Sequence, residues 1–474
     1  MDNYEGILES AKPFGLYQVL LLTWSQFSLI LAACNMIFMS LGASQPKMVT
    51  DNENRTQITF ENFANQTITD FGTLSVQYGL IGDRAYLVSW ITSIQMVGVL
   101  IGSTIGGRLA DAFGRKKVSL VSISLLSSIG ILSGWAPTWY YYMMCRFVIG
   151  FLIGSTVTAT FVLVGEQMVQ RHRSLFFTGG WATGSIVLAA CALLTNNWRT
   201  LNLVINCIGI APLLLLFVIT ESPKWLIQSG RETKGTAAML RIARLNGVRR
   251  EDRDRIKALL NEAAKQRRGS VQPKPISYID LIRTAEYRHH ILPLLYYWIS
   301  AAVVHYGLIF SLGALLDSAA YNILIFACVN LVASILIPIS DRSFKCVGRR
   351  WFALIGWCSY AISLLVVVIL QQYSLHLVAT FVAAFGLGMG KFVWASAELY
   401  TAELFPTQIR NSVHGLCSGF CRVGSICAPL ILLLDNYGWP SASNLIFCVV
   451  SWSNVVVTAL FLPETKGLPL PDAV

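Results

Sequence analysis

Three basic residues, Arg146, Lys391 and Arg422, lie well inside runs of apolar residues. A charge at the centre of a bilayer costs about 2.5–3.5 kcal/mol per residue on insertion scales, so each needs a compensating contact. Arg422 stands nine residues into its run, about 14 Å along a helix at 1.5 Å per residue and hence near the midplane. Its guanidinium is a rigid fork of donors that matches a carboxylate or sulfate bidentately. An organic anion or zwitterion would complete it, and so would a structural ion pair with an inward acid such as Glu398.

Lys391 and Glu398 are seven residues apart, two turns of helix and one face, but too far for direct pairing. Lys391 lies about 9 Å from the nearer surface, within reach of snorkelling. His305, in the middle of its run, fits either proton transfer or packing. Asn35 is a polar group at membrane depth and would orient a ligand or bond a neighbouring helix.

The elements that position these side chains follow from composition. Of 474 residues, 54% are apolar or aromatic and 13% charged, with a mean hydropathy of +0.57; soluble domains carry roughly 25% charged residues. The apolar blocks predict an all-α integral membrane protein with twelve transmembrane helices at 16–39, 86–107, 118–135, 139–164, 175–195, 201–220, 291–313, 321–340, 351–370, 375–397, 413–434 and 441–462. They divide into an N-terminal six-helix half (1–220), a polar helical linker (221–290) and a C-terminal six-helix half (291–474).

The linker holds sixteen Lys or Arg against eight acids, while the 40–85 loop has three basic residues and five acids. Positively charged short loops stay inside, which predicts cytoplasmic termini and linker and an extracellular 40–85 loop. That loop carries the chain's two glycosylation sequons, at Asn54 and Asn65, which are the candidate glycan sites. Ten of eleven cysteines fall inside apolar blocks, so no disulfide framework is expected. The acidic first 15 residues lack a basic n-region, so the first apolar block is expected to remain as an anchor. The +11 charge follows topology and does not indicate nucleic acid.

The two halves repeat. GGRLADAFGRKK (106–117) has a counterpart in SDRSFKCVGRR (340–350). Glu166 precedes Arg173 by seven residues, as Glu403 precedes Arg410, and Gly150-x-x-x-Gly154 and Gly386-x-x-x-Gly390 lie upstream of the two acids. A duplicated unit with a ligand site at the repeat interface is a common transporter plan. Asp111 with Arg115, Glu166 with Arg173 and Glu403 with Arg410 are candidate charge clusters at the inner helix ends. The pairs Gly102/Gly106, Gly150/Gly154 and Gly415/Gly419 are expected to permit close helix contact.

On these motifs, with ESPKWLIQSGR (221–231), ELYTAELFPTQIRNSV (398–413), CRVGSICAPL (421–430) and PETKGLPLPD (463–472), the chain resembles the major facilitator superfamily. Within it, the chain resembles the organic cation, anion and zwitterion transporter family. The resemblance implies the major facilitator fold and alternating access. It places pocket aromatics at Trp181, Tyr306 and Trp394, with Tyr297, Trp298 and Phe385 as weaker candidates. It also gives the Arg422 position an Arg in anion and carnitine-type branches and an acid in the cation branch. The charge clusters would latch the halves in the outward-facing state. Arg146, which begins Arg-x-x-x-Gly, either takes part in proton coupling or ties spans together.

These readings give a monomeric plasma-membrane carrier of small organic ions, anions or zwitterions by preference. It needs no cofactor, metal or nucleic acid, and its partners are the ligand and the lipid bilayer. An organic cation carrier and a non-transporting receptor are the alternatives. An enzyme is excluded by the lack of HExxH, G-x-S-x-G or a Cys/His cluster, and GLGMGKF (386–392) lacks the spacing and the Ser/Thr of a phosphate loop.

Overall fold

The computed structural model describes residues 4–44, 72–169, 172, 179–195, 197–268, 285–311, 319–343, 348–373, 375–405, 407–437 and 442–465. Apart from a single bridge between Gly72 and Asn197, the described residues hold helices and their connections. Besides two short helices, Tyr4–Ser10 and Leu74–Gln77, the N-terminal half contains α1 (Leu16–Gly42), α2 (Tyr86–Phe113), α3 (Arg115–Ser133), α4 (Trp139–Gln167), α5 (Gly180–Leu194), α6 (Trp198–Cys207) and α7 (Ile210–Leu215). Beyond them come α8 (Pro223–Gln228), α9 (Glu232–Leu245) and α10 (Arg250–Arg268). The C-terminal half contains α11 (Ala285–Ser311), α12 (Ala319–Ser343), α13 (Arg349–Gln372), α14 (His376–Glu403), α15 (Thr407–Ile431) and α16 (Ala442–Phe461).

Among the described residues ten helical stretches are long and apolar enough to cross a bilayer, with α6 and α7 forming one of them. The shorter apolar helices Gly180–Leu194 and Ala320–Leu336 supply two more, giving the twelve crossings of a major facilitator fold. Several helices overrun their apolar blocks. Helix α2 runs on to Phe113, α14 to Glu403, and α15 begins at Thr407, so the charged motifs sit on helix ends and not in loops.

The sixth crossing is broken where the sequence predicts one helix. The Gly209 amide turns back to the Asn206 carbonyl, closing a tight turn. Pro212 then sits in the first turn of α7, where its missing N–H leaves no helical bond unmade.

Glycines set the closest approach in the bundle. A Cβ on Gly98 or Gly102 of α2 would overlap the carbonyl oxygen of Phe147 or Phe151 on α4, and one on Gly150 or Gly154 would overlap that of Gln95 or Val99. The two backbones are in contact along this seam. In the second half Gly386 and Gly390 of α14 face side chains of α13 instead, Gly386 against Ser363 and Gly390 against the Tyr360 hydroxyl. Gly419 faces open space, so the close contact expected of it is not formed.

The halves meet along α2 with α15 and α5 with α12, and the Ser93 hydroxyl on α2 donates to the Ile426 carbonyl on α15 at 3.0 Å. At the charge-rich end, α9 and α10 bury Met239, Ala243, Ile256 and Leu260 against Ile7, Leu8 and Ile227. This small second core is closed by Asn246, whose amide donates to the Ala11 carbonyl (3.0 Å) and whose carbonyl accepts from the Tyr17 N–H (3.0 Å).

Candidate functional site

Helix α15 places Arg422 against α11, where its Nη1 donates to the Tyr306 hydroxyl at 3.4 Å. Its Nε has no partner, and no carboxylate meets it among the described residues. The acid that would have neutralised it, Glu398, accepts from or shares a proton with His414 Nε2 at 2.7 Å. Arg422 therefore keeps an unspent charge and unspent donors.

Aromatic rings continue from it along α11 and α14. Tyr306 stacks on Phe310 (centroids 6.2 Å apart), His305 stands edge-on to Tyr306 (5.7 Å) and to Trp394 (5.8 Å), and Trp394 stands edge-on to Trp298 (5.6 Å). Such edge-to-face geometry presents ring faces and edges in alternation, suited to a flat or cationic ligand group. His305 Nδ1 is within hydrogen-bonding distance of the Tyr360 hydroxyl, 3.1 Å. Lys391 lies near enough for its charge to act on His305 and makes no ion pair among the described residues. Tyr297 is packed, bonded to Ser396 (2.7 Å) and edge-on to Trp357 (5.2 Å). Phe385 is exposed at the bundle surface.

Three of the residues singled out in the sequence stand apart from this group. Asn35 is fully buried, donating to Asn206 Oδ1 (3.0 Å) and the Leu31 carbonyl. Its own carbonyl accepts from Gln95 (3.0 Å) and from Arg146 Nη1 (3.3 Å). Arg146, also fully buried, donates Nε to the Tyr142 hydroxyl (2.7 Å) and lies over the Phe38 ring at 4.4 Å. This network binds α1, α2, α4 and α6 together. Asn35 thus faces neighbouring helices, because the interior of the N-terminal half is packed around it. Trp181 is half-buried on α5, and no described contact joins it to the Arg422 group.

The charge clusters have a common plan. Arg115, first residue of α3, pairs with Asp111 (2.9 Å) and with Glu166 at the end of α4 (3.2 Å), under the ring of Trp225. Glu221 accepts the Lys116 N–H (3.0 Å) at the start of α3, and Gly114 turns the chain between α2 and α3 at φ +108°. In the second half Arg349, first residue of α13, pairs with Glu403 at the end of α14 (3.1 Å), and Glu464 accepts the Arg349 N–H (2.7 Å). Carboxylates at these helix N-termini also meet the positive end of the dipole.

The spacing pointed to partners seven residues along the chain; Glu403 is held by Arg349, and the capping roles of Glu221 and Glu464 were not indicated. Each described pair lies within one half. Arg173 lies outside the described residues, as do Asn54 and Asn65, and Arg410 is on α15 with its side chain outside the described set. Because Arg115 and Glu166 are largely buried, Arg115→Ala is expected to break this buried pair and lower the melting temperature of the purified protein by several degrees. Breaking a buried pair from one side costs about 3–5 kcal/mol. An unchanged melting curve would show the cluster to be solvated.

Twelve apolar crossings, repeated charge clusters and a polar, aromatic-lined group between helices define a multi-pass membrane carrier. The chain belongs to the sugar (and other) transporter family, whose model matches residues 29–473, and within it to the solute carrier family 22 organic ion transporters. It is 27% identical over 481 residues to solute carrier family 22 member 15-like of Xenopus tropicalis, covering 100% of this chain and 96% of the relative. It is 30% identical over 393 residues to member 6-A of Xenopus laevis, covering 81% and 68%. Among solved structures, the partially occluded inward-open xylose transporter XylE from E. coli aligns with a TM-score of 0.69 at 14% identity, over 96% of this chain and 100% of that one. At that identity the likeness concerns the fold.

Proposed function

We propose that this carrier moves small organic anions or zwitterions by alternating access, with the ligand's carboxylate or sulfate on Arg422. The observation that supports this reading is the guanidinium itself: at membrane depth, held by Tyr306, and without a carboxylate among the described residues. A ligand anion removes the cost of that charge, and the pair gains strength where water is scarce. Tyr306 and Trp394 supply ring surface for the rest of the ligand, and Lys391 adds a second positive charge along the same aromatic row. Trp181, from the other half, would close on the ligand as the halves rock.

The same reading has cytoplasmic termini and linker, a monomer in the plasma membrane, and glycans at Asn54 and Asn65. The inner charge clusters hold each half rigid while the halves move. Uptake of labelled para-aminohippurate, carnitine and tetraethylammonium by expressing cells tests the ligand class. Saturable uptake of para-aminohippurate or carnitine above vector control, with none of tetraethylammonium, is the expected result. Uptake of tetraethylammonium alone would overturn it and turn attention to Glu398, the acid on the same helix as Trp394.

A further inference from the structure

We infer that His414 and Glu398 form a proton site that fastens the two halves together at the charge-cluster end of the bundle, an inference that rests on reading the chain as a two-half carrier. His414 lies on α15, seven residues past its first residue, Thr407, about 10 Å into the bundle. Its Nε2 is 2.7 Å from Glu398 Oε2 on α14, so one proton already lies between them. Its ring stacks on Phe161 of α4, with centroids 6.0 Å apart and planes at 12°, which makes the imidazole a contact between halves. Trp298 of α11 closes the third side edge-on at 5.8 Å.

Among the described residues the groups facing the imidazole are few. Helix α14 supplies Glu398, α11 supplies Trp298, α4 supplies Phe161, and α15 itself supplies Cys417 one turn further on. Lys391 lies seven residues from Glu398 and Arg422 eight from His414, two turns up their helices; Arg410 stands one turn before His414 on α15 with its side chain outside the described set, and the described hydrogen bond from α2 to α15 is made further along, at Ile426. Glu398 is therefore the one neighbour that carries charge at neutral pH among these facing groups. Nδ1 makes no bond among the described residues and is the atom that takes a second proton from a solvent acid. Its lone pair forms the new N–H bond, the acid keeps its electron pair as the conjugate base, and the pair passes from a net charge of −1 to zero. Both side chains are partly exposed, so a solvent acid can reach the pair. The cationic ring is also drawn to the Phe161 face, so the proton strengthens the contact between halves.

The test is a distance measurement on the purified chain in nanodiscs, with no ligand. Spin labels are attached after Phe113→Cys and Trp351→Cys, both exposed at the charge-cluster end of their halves, with exposed Cys207 and Cys328 and Cys346 of the polar 340–350 motif replaced by serine. Lowering the pH from 8 to 5 is expected to enrich the short distance, by up to about tenfold per pH unit between the two pKa values, the slope one linked proton allows. His414→Gln and Glu398→Gln, each required to elute and melt as the parent does, are expected to reduce the whole change to less than about twofold. Phe161→Ala should weaken the response without abolishing protonation. A parent protein whose distances ignore pH, or a pH response that survives in both His414→Gln and Glu398→Gln, overturns the inference. Failure of the organic-ion reading would appear separately, as absence of uptake of all three probes, while the distance measurement still stands.

Discussion

Arg422→Ala is expected to lower uptake of para-aminohippurate or carnitine at least about tenfold with surface expression unchanged. Truncating one partner of a desolvated charge pair costs about 2–5 kcal/mol, and each 1.4 kcal/mol is a factor of ten. Here the guanidinium makes one hydrogen bond among the described residues, to the Tyr306 hydroxyl at 3.4 Å, so its removal breaks few bonds of the fold and takes away the ligand's counter-charge. Arg422→Lys keeps the charge but loses the fork, and should fall between the two. Tyr306→Phe leaves Nη1 without its acceptor and should raise KM by a smaller factor than loss of the charge does. Expressing cells with and without each substitution, compared at several ligand concentrations, check the order. Alanine and arginine proteins with equal uptake would remove Arg422 from the ligand's path.

The second large effect is on folding, at the α2–α4 seam. Gly102→Ala puts a methyl group onto the backbone carbonyl of Phe151, whereas Gly107→Ala, five residues on, meets only the Thr158 methyl at 3.5 Å, an ordinary contact. Both substitutions gain about the same helix propensity, nearly 1 kcal/mol in favour of Ala. Overpacking costs typically 1–3 kcal/mol and more where backbone cannot give way. The pair therefore isolates the clash. Gly102→Ala is expected to reduce the monodisperse fraction severalfold and lower the melting temperature, with Gly107→Ala equal to or above wild type. Equal melting of the two would show the seam to be looser than the glycine contacts indicate.

Much of the fold was legible because the bilayer imposes a single length and polarity on each crossing. Gly102, Gly106, Gly150 and Gly154 were readable for the same reason: helices without side chains at fourth positions have few other uses in a membrane. Arg422 stood out by cost alone. What was missed depended on pairings between distant segments. Glu403 lies 54 residues from Arg349 and Glu464 lies 115 from it, and no local spacing carries that information. A signal was present all the same, since Arg115 and Arg349 occupy equivalent places in the repeated motif. Glu221 and Glu464 likewise each follow the last crossing of their half.

His414 was missed for a different reason. An apolar-run reading starts its span at residue 413, leaving the imidazole at the surface, while the helix starts at Thr407 and carries it inward. The break in the sixth crossing had its signal in Gly209 and Pro212, which hydropathy averages away. Asn35 illustrates the opposite limit: polarity at membrane depth marks a contact but does not say whether ligand or neighbouring helix supplies it.

The claim that an anion sits on Arg422 is tested most directly by reversing the charge. The ratio of para-aminohippurate to tetraethylammonium uptake, measured side by side for the wild type and for Arg422→Glu, should fall at least about tenfold, since like charge now opposes the carboxylate and favours the ammonium. A ratio unchanged by the reversal, with both proteins at the cell surface, would contradict the assignment and leave Arg422 a structural residue.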